Sequence, residues 1–449
     1  MTAKTKLLVA TLAAAVLATA AYGKATQAEA DRLGKDLTPI GAERAANKDG
    51  SIPAWDGGLK APPAGYEKGK GFYVDPFASE KPLFTISAAN VAQYKDKLTA
   101  GQLAMLEKYP NYKMHVYPTR RTAAYPQRVY DEAKKQAAQV DLAEGGNGVL
   151  NSGKTYVPFP VPKTGVEVVW NHAMRYRGTG LLREMGQHVV NTNGAVSSTI
   201  VEIRLMFANE MADAEPNRIF YYRQAVLGPA SVEGQNLLVH EPLDQVKEPR
   251  LAWQYNPGQR RVLRAPEVAY DTPGTGTDGL GSNDATDMWN GSPDRYEWKL
   301  LGKREVFIPY NNYKPFVQGA KYQDLLSTTL FPNPEKVRWE LHRVWVVEGT
   351  LRSGKRHIYA KRAFYFDEDS WGVALADLYD GRGELWRTQY ALMAQIYDAP
   401  ALWDIGQVTV DLQSRRYLIL QLLRKPITFG EPLTLRDFGP SELRRVGTK

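Results

Sequence analysis

The chain has 449 residues, a net charge of +8 and no cysteine. That length holds two ordinary domains or one large β domain with insertions, and the lack of cysteine excludes disulfides, thiolate chemistry and a lipid-modified cysteine. The positive excess is spread over pairs such as Arg120-Arg121, Arg260-Arg261, Arg415-Arg416 and Arg444-Arg445, with no basic tract of the kind a nucleic-acid footprint requires.

In chain order, residues 1–23 read as a signal peptide. Two lysines precede the uncharged run Leu7 to Ala21, and small residues follow at the spacing a signal peptidase needs, placing cleavage near Ala20 to Gly23. The apolar run is about 15 residues, short of the roughly 20 that cross a bilayer. The expectation is a periplasmic protein that is not a lipoprotein. Residues 24–163 read as helix and loop wrapped over the remainder. Short helices are predicted at Thr26 to Leu33, Ser87 to Leu98 and Tyr125 to Val140, and Thr99 is an N-cap for Ala100 to Lys108. Proline-glycine stretches between them, such as Ile52 to Gly58 and Ala61 to Gly65, cannot hold a hydrogen-bonded ladder.

Residues 164–449 read as an antiparallel meander ending in a short helix, a sheet that closes, curls around a helix or packs on a second sheet. Val166, Val169, Trp170 and Ala173 recur at helical spacing in Val166 to Arg177, a helix placed to fill the concave face of a sheet. From Leu181 the period becomes two. Thr199, Val201, Ile203, Leu205 and Phe207 share one face, with Glu202 and Arg204 on the other, and Val337, Trp339 and Leu341 alternate with Arg338, Glu340 and His342. Turn signals recur at Asn191 to Gly194, Asn256 to Gln259, Asp367 to Ser370, Asp380 to Gly383 and Gln413 to Arg416. The expectation is a mainly β (α+β) protein, with one face of its sheet apolar and aromatic and the other charged. The stretch Asp271 to Asp294 is too long for a hairpin turn and reads as a functional or mobile loop.

Motifs that imitate chemistry fail on context. Gly148 to Thr155 matches the phosphate-binding loop, but no strand leads into it and prolines prevent the helix that must follow. Gly274 to Gly279 matches the dinucleotide fingerprint without a strand before or a helix after. No nucleotide is therefore expected. Asp278, Asp284, Asp287 and Asp294 fit no calcium loop and read as solvated. His115, His172, His188, His240, His342 and His357 are scattered without metal-ligand spacing. No catalytic residue, metal or cofactor is assigned. Strand-borne aromatic rings suit an apolar cavity, and the candidates for lining it are Trp170, Trp253, Trp298, Trp339, Trp345, Trp371 and Trp386.

Several segments carry a resemblance: Leu37 to Glu43, Ser51 to Gly58, Pro158 to Pro160, Trp170 to His172 with Arg175 to Gly178, Asn256 to Val262, Asp367 to Trp371 and Asp380 to Arg387. Together they resemble an uncharacterised proteobacterial family described as outer-membrane lipoprotein-sorting-like. The resemblance implies a fold similar to the carrier LolA and its receptor LolB, an incomplete antiparallel barrel curved round an apolar cavity and capped by helices. It also implies a carrier or binding protein for a lipid, a lipoprotein acyl chain or another hydrophobic compound in envelope transport. The alternative is a non-enzymatic accessory protein of an export machine of the resistance-nodulation-division type, with an inner- or outer-membrane transport protein as partner. A periplasmic hydrolase is the third reading, and it lacks a nameable acid, base or nucleophile cluster.

Overall fold

The computed structural model describes residues 24–69, 72–326 and 330–447. The expected signal peptide lies outside these residues. Among the described residues no helix is long and apolar enough to cross a membrane.

Thirteen strands form the body of one large sheet: β1 (Leu181–Val190), β2 (Val196–Phe207), β3 (Phe220–Gly228), β4 (Asn236–Glu241), β5 (Leu251–Asn256), β6 (Arg261–Arg264), β7 (Tyr296–Pro309), β8 (Trp339–Leu351), β9 (Lys361–Asp367), β10 (Val373–Tyr379), β11 (Leu385–Ile396), β12 (Ala401–Asp411) and β13 (Arg416–Leu423). The connectivity is simple. From β1 the chain meanders outward to an edge at β6. It then crosses to β7 and meanders back until β13 pairs antiparallel with β1. Two meanders thus share one seam, and the sheet curves without closing. Alternation holds where the sequence predicts it: Val201, Ile203, Leu205 and Phe207 are buried, and Glu202 and Arg204 only half so.

The N-terminal region covers the outer side of the second meander. Thr99 caps the helix Ala100–Lys108 through a reciprocal box with Gln102, as its sequence predicts. This helix comes so close to β10 and β11 that a Cβ on Gly101 would sit 2.2 Å from the Asp377 carboxylate. The short strands Phe84–Ile86 and Met114–Val116 join the sheet through one parallel pairing of Val116 with Trp339. On the first meander the outer side is closed by the helix Pro440–Gly447, whose Leu443 packs with Tyr221, Leu238 and Tyr255.

Arg338, Glu340 and His342 fall on the charged face that alternation predicts, yet all three are buried. The N-terminal wrap covers them and supplies their partners: Arg120 donates its backbone N–H to Glu340 at 2.7 Å, and Arg338 pairs with Glu80 at 2.6 Å. Buried charge is tolerated when it is paired and hydrogen-bonded, so alternation reported a real strand but misjudged what lay over it.

Candidate functional site

The helix Gly165–Met174 lies on the inner face of β7 and β8. Its N-terminus approaches so closely that a Cβ on Gly165 would meet the Trp298 backbone and the Val347 side chain at 2.9 Å. Glu167 accepts the backbone N–H of Lys163 and Thr164 and so caps the helix. Asn171 exchanges two hydrogen bonds with the Phe159 backbone, at 2.8 and 2.7 Å, tying the proline-rich lead-in to the helix. Trp170 donates to the Gly146 carbonyl at 2.8 Å. The Val373 amide donates to Nδ1 of His172, which leaves its Nε2–H for the carbonyls of Asp287 (2.9 Å) and Trp289 (3.0 Å). Burial, reinforced by Arg175 and Arg177, lowers the His172 pKa to about 3, so the ring is neutral.

His172 therefore grips the stretch 271–294, and so do many other groups. The Asp287 carboxylate is held by both Arg175 and Arg177. Arg362 and His357 hold Asp284 at 2.6 and 3.0 Å. Arg250 reaches the Asn290 carbonyl (2.9 Å), Arg387 those of Gly279 (2.9 Å) and Leu280 (3.1 Å), and Gln407 that of Ala285 (2.7 Å). Met288 and Trp289 are buried as well. The reading of these carboxylates as a solvated loop is thus corrected for Asp284 and Asp287. Despite their burial the arginine charges hold both carboxylates well below the usual range. The stretch is a lid clamped to the inner face of the second meander. Its backbone is left-handed at Asp287 (φ 58°) and Met288 (φ 62°), a conformation that persists in non-glycine residues only where the surroundings impose it.

Over the first meander the same lid stands off the sheet and leaves a narrow cleft with about 90 Å³ of free space. Met185, Ile203, Leu205, Phe220, Tyr222, Leu237 and Val239 make its apolar wall, joined by Trp403 and Leu420 from across the seam. Arg177, Arg183, Gln187, Gln224 and Gln421 make a polar strip, and lid residues from Gly274 to Asn290 form the roof. The site is amphipathic.

The seven candidate tryptophans lie elsewhere. Trp170 and Trp339 are buried in the main core. Trp371 is buried too, donates to the Ile40 carbonyl at 3.0 Å and stacks on half-buried Trp345, with ring centroids 6.3 Å apart. Trp298 packs edge-on against Trp289, and Trp386 lies under the Arg387 guanidinium. Trp253 falls on the outer face near Tyr221 and Tyr255, because Gln254 takes the inward position. The cleft is instead lined by Trp403, whose Nε1 donates to the Arg177 carbonyl at 3.1 Å. The missed signal was Arg183, an arginine on the inward register of Leu181, Met185 and Val201.

Among the described residues, His342, Asp367 and Asp369 bring one ligand atom each within 4.8 Å of one another. The two carboxylates are already engaged in ion pairs and hydrogen bonds. Arg121 takes both oxygens of Asp369, and Asp367 accepts from Ser370 (2.6 Å) and Tyr310 (3.3 Å). Burial and the neighbouring Asp369 raise Asp367 to about 7. With Arg343 and Lys303 on Glu368 (2.6 and 2.8 Å), this is an ion-pair network stitching the N-terminal wrap to the Asp367–Trp371 turn.

Two pairs of the segments that carry the resemblance meet in space: Leu37 to Glu43 against Asp367 to Trp371, and Pro158 to Pro160 against Asn171. A family model described as "Protein of unknown function (DUF1329)" matches residues 85–444. The chain belongs to the DUF1329 family. An uncharacterised protein of Pseudomonas aeruginosa is 49% identical over 455 residues, covering 99% of each chain. Solved structures are more distant. A putative outer membrane lipoprotein-sorting protein domain from Vibrio parahaemolyticus is 16% identical, covering 63% of this chain and 98% of its own, with a TM-score of 0.44. A DUF1329 family protein from Desulfovibrio piger is 15% identical, covering 59% and 92%, with a TM-score of 0.41.

Proposed function

We propose that this DUF1329 protein is a periplasmic carrier or binding protein for a lipid, an acyl chain or another hydrophobic compound, seated between the first meander and the lid. The observation that carries the reading is the wall of Met185, Ile203, Leu205, Phe220, Tyr222, Leu237 and Val239 facing open space under a clamped lid. Sheets normally bury such a wall against another layer; here the layer stands off. Each buried methylene contributes about 0.8 kcal/mol, so ten supply about 8 kcal/mol of gross affinity, part of which offsets the freedom lost on binding. The wall needs no reacting group for this task, and the reading is non-catalytic.

Titration of the purified protein with a fluorescent acyl chain tests it. Wild type is expected to take up the probe. Leu205→Trp and Leu237→Trp, which fill the cleft, are expected to weaken uptake at least about tenfold, or about 1.4 kcal/mol, with circular dichroism unchanged. No uptake by wild type, or equal uptake by both variants, contradicts the reading.

A further inference from the structure

The polar strip of the cleft contains a cation, Arg183, that makes no ion pair among the described residues and feels Asp404 only at longer range. Arg183 is 6% exposed and lies on the inward register of β1, level with Ile203 on β2. Its guanidinium sits 4.8 Å above the Trp403 ring, and Nη2 donates to Gln421 Oε1 at 2.6 Å. Nε and Nη1 have no partner among the described residues. Gln421 is itself placed deliberately: its backbone is left-handed (φ 62°) within the irregular β13–β1 pairing between Ile419 and Leu422. Bulges of this kind re-aim side chains beside functional sites.

The surrounding charges do not balance. Arg175, Arg177 and Arg183 face Asp287 and Asp404, and Arg177 also feels Glu241, which is paired with Arg250. Asp287 is taken by Arg175 and Arg177, and Arg177 Nε is a further donor without a partner. The Asp404 oxygens accept no hydrogen bond, and burial together with Asp287 raises this carboxyl to about 7, so it supplies at most part of a charge at neutral pH. Burial lowers Arg177 to about 10 and Arg183 in the same direction, which leaves both protonated. An uncompensated buried cation is costly, and a guanidinium with free donors matches an oxyanion in charge and geometry.

We propose that the compound held in this cleft is an anionic amphiphile: Arg183 binds a carboxylate or phosphate oxyanion, and the attached chain lies along Ile203, Leu205, Tyr222 and Leu237. This rests on the reading of the cleft as an apolar binding site and names the class of compound it selects.

Binding of hexadecanoate, hexadecyl phosphate and hexadecanol, which share one chain and differ in the head, tests the assignment. Wild type is expected to bind at least one of the two anions about tenfold or more tighter than the alcohol, and the tighter of the two tells a carboxylate source from a phosphate one. Arg183→Met is expected to reduce that preference to within about threefold, and circular dichroism reports that the variant is folded. Equal binding of all three by wild type overturns the headgroup assignment and leaves the carrier reading standing. A preference that survives Arg183→Met overturns it too, and makes Arg183 a structural counterion of Asp404. Binding of none of the three overturns the carrier reading and the assignment together. The wild-type comparison decides the question even if the variant does not fold.

Discussion

His172 illustrates how one buried side chain organises the site. Its ring joins the central helix, the lid and the start of β10, and the bond it accepts from the Val373 amide requires the neutral form. With its pKa lowered from 6.5 to about 3, the folded protein resists a proton that the unfolded chain accepts. A depressed histidine therefore stabilises fully above pH 6.5 and loses that contribution as pH falls toward 3. The lost share between pH 6.5 and 5 is about 2 kcal/mol at 1.36 kcal/mol per unit. His172→Gln, which cannot charge, is expected to cost more stability at pH 7.5 than at pH 5 in urea unfolding. An equal cost at both pH values contradicts the assignment of a neutral buried ring. The role of His172 was not legible in the chain, since a scattered histidine carries no spacing signal, and Arg183 was marked only as an arginine on an inward register. Their partners are distant: Asp287 lies 115 residues from His172 and Gln421 lies 238 from Arg183.

Among the elements, the lid 271–294 departs furthest from its sequence. Its glycines, threonines and aspartates are the composition of a solvated loop, and composition could not reveal that arginines of β9, β11 and the segment after the central helix converge on its carboxylates and carbonyls. Asp287→Asn removes the charge that neutralises two buried guanidiniums, and breaking a buried pair from one side costs about 3–5 kcal/mol. The variant is expected to unfold at lower urea concentration and to exchange amide hydrogens faster across 271–294 than elsewhere. Unchanged exchange there would mean that the clamp is held by other contacts. Elements with local signals were legible: the Thr99 cap, the helix beginning beside Thr164, and β2 with its alternating face. These depend on neighbours within a few residues, which is where sequence pattern is informative.

For the whole molecule, the two meanders divide the labour. The second meander gives its inner face to the helix and to polar grips for the lid, while the first lines the cleft beneath the lid with an apolar wall and a polar strip. The antiparallel meander was legible because period-two runs and turns recur from Leu181 onward, and its curl was what the resemblance implied. The location of the cleft was not. Abundant tryptophan marked the core of the second meander, and the working surface of the first is built from smaller aliphatic and tyrosine side chains. The central claim is that this surface holds the tail of an apolar compound. A crystal structure of the protein with hexadecanoate brominated at its terminal carbon tests it most directly. The account predicts anomalous bromine density beside Leu205, Tyr222 and Leu237, beneath the lid; bromine ordered only on the outer face near the helix Pro440–Gly447, or nowhere, would contradict it.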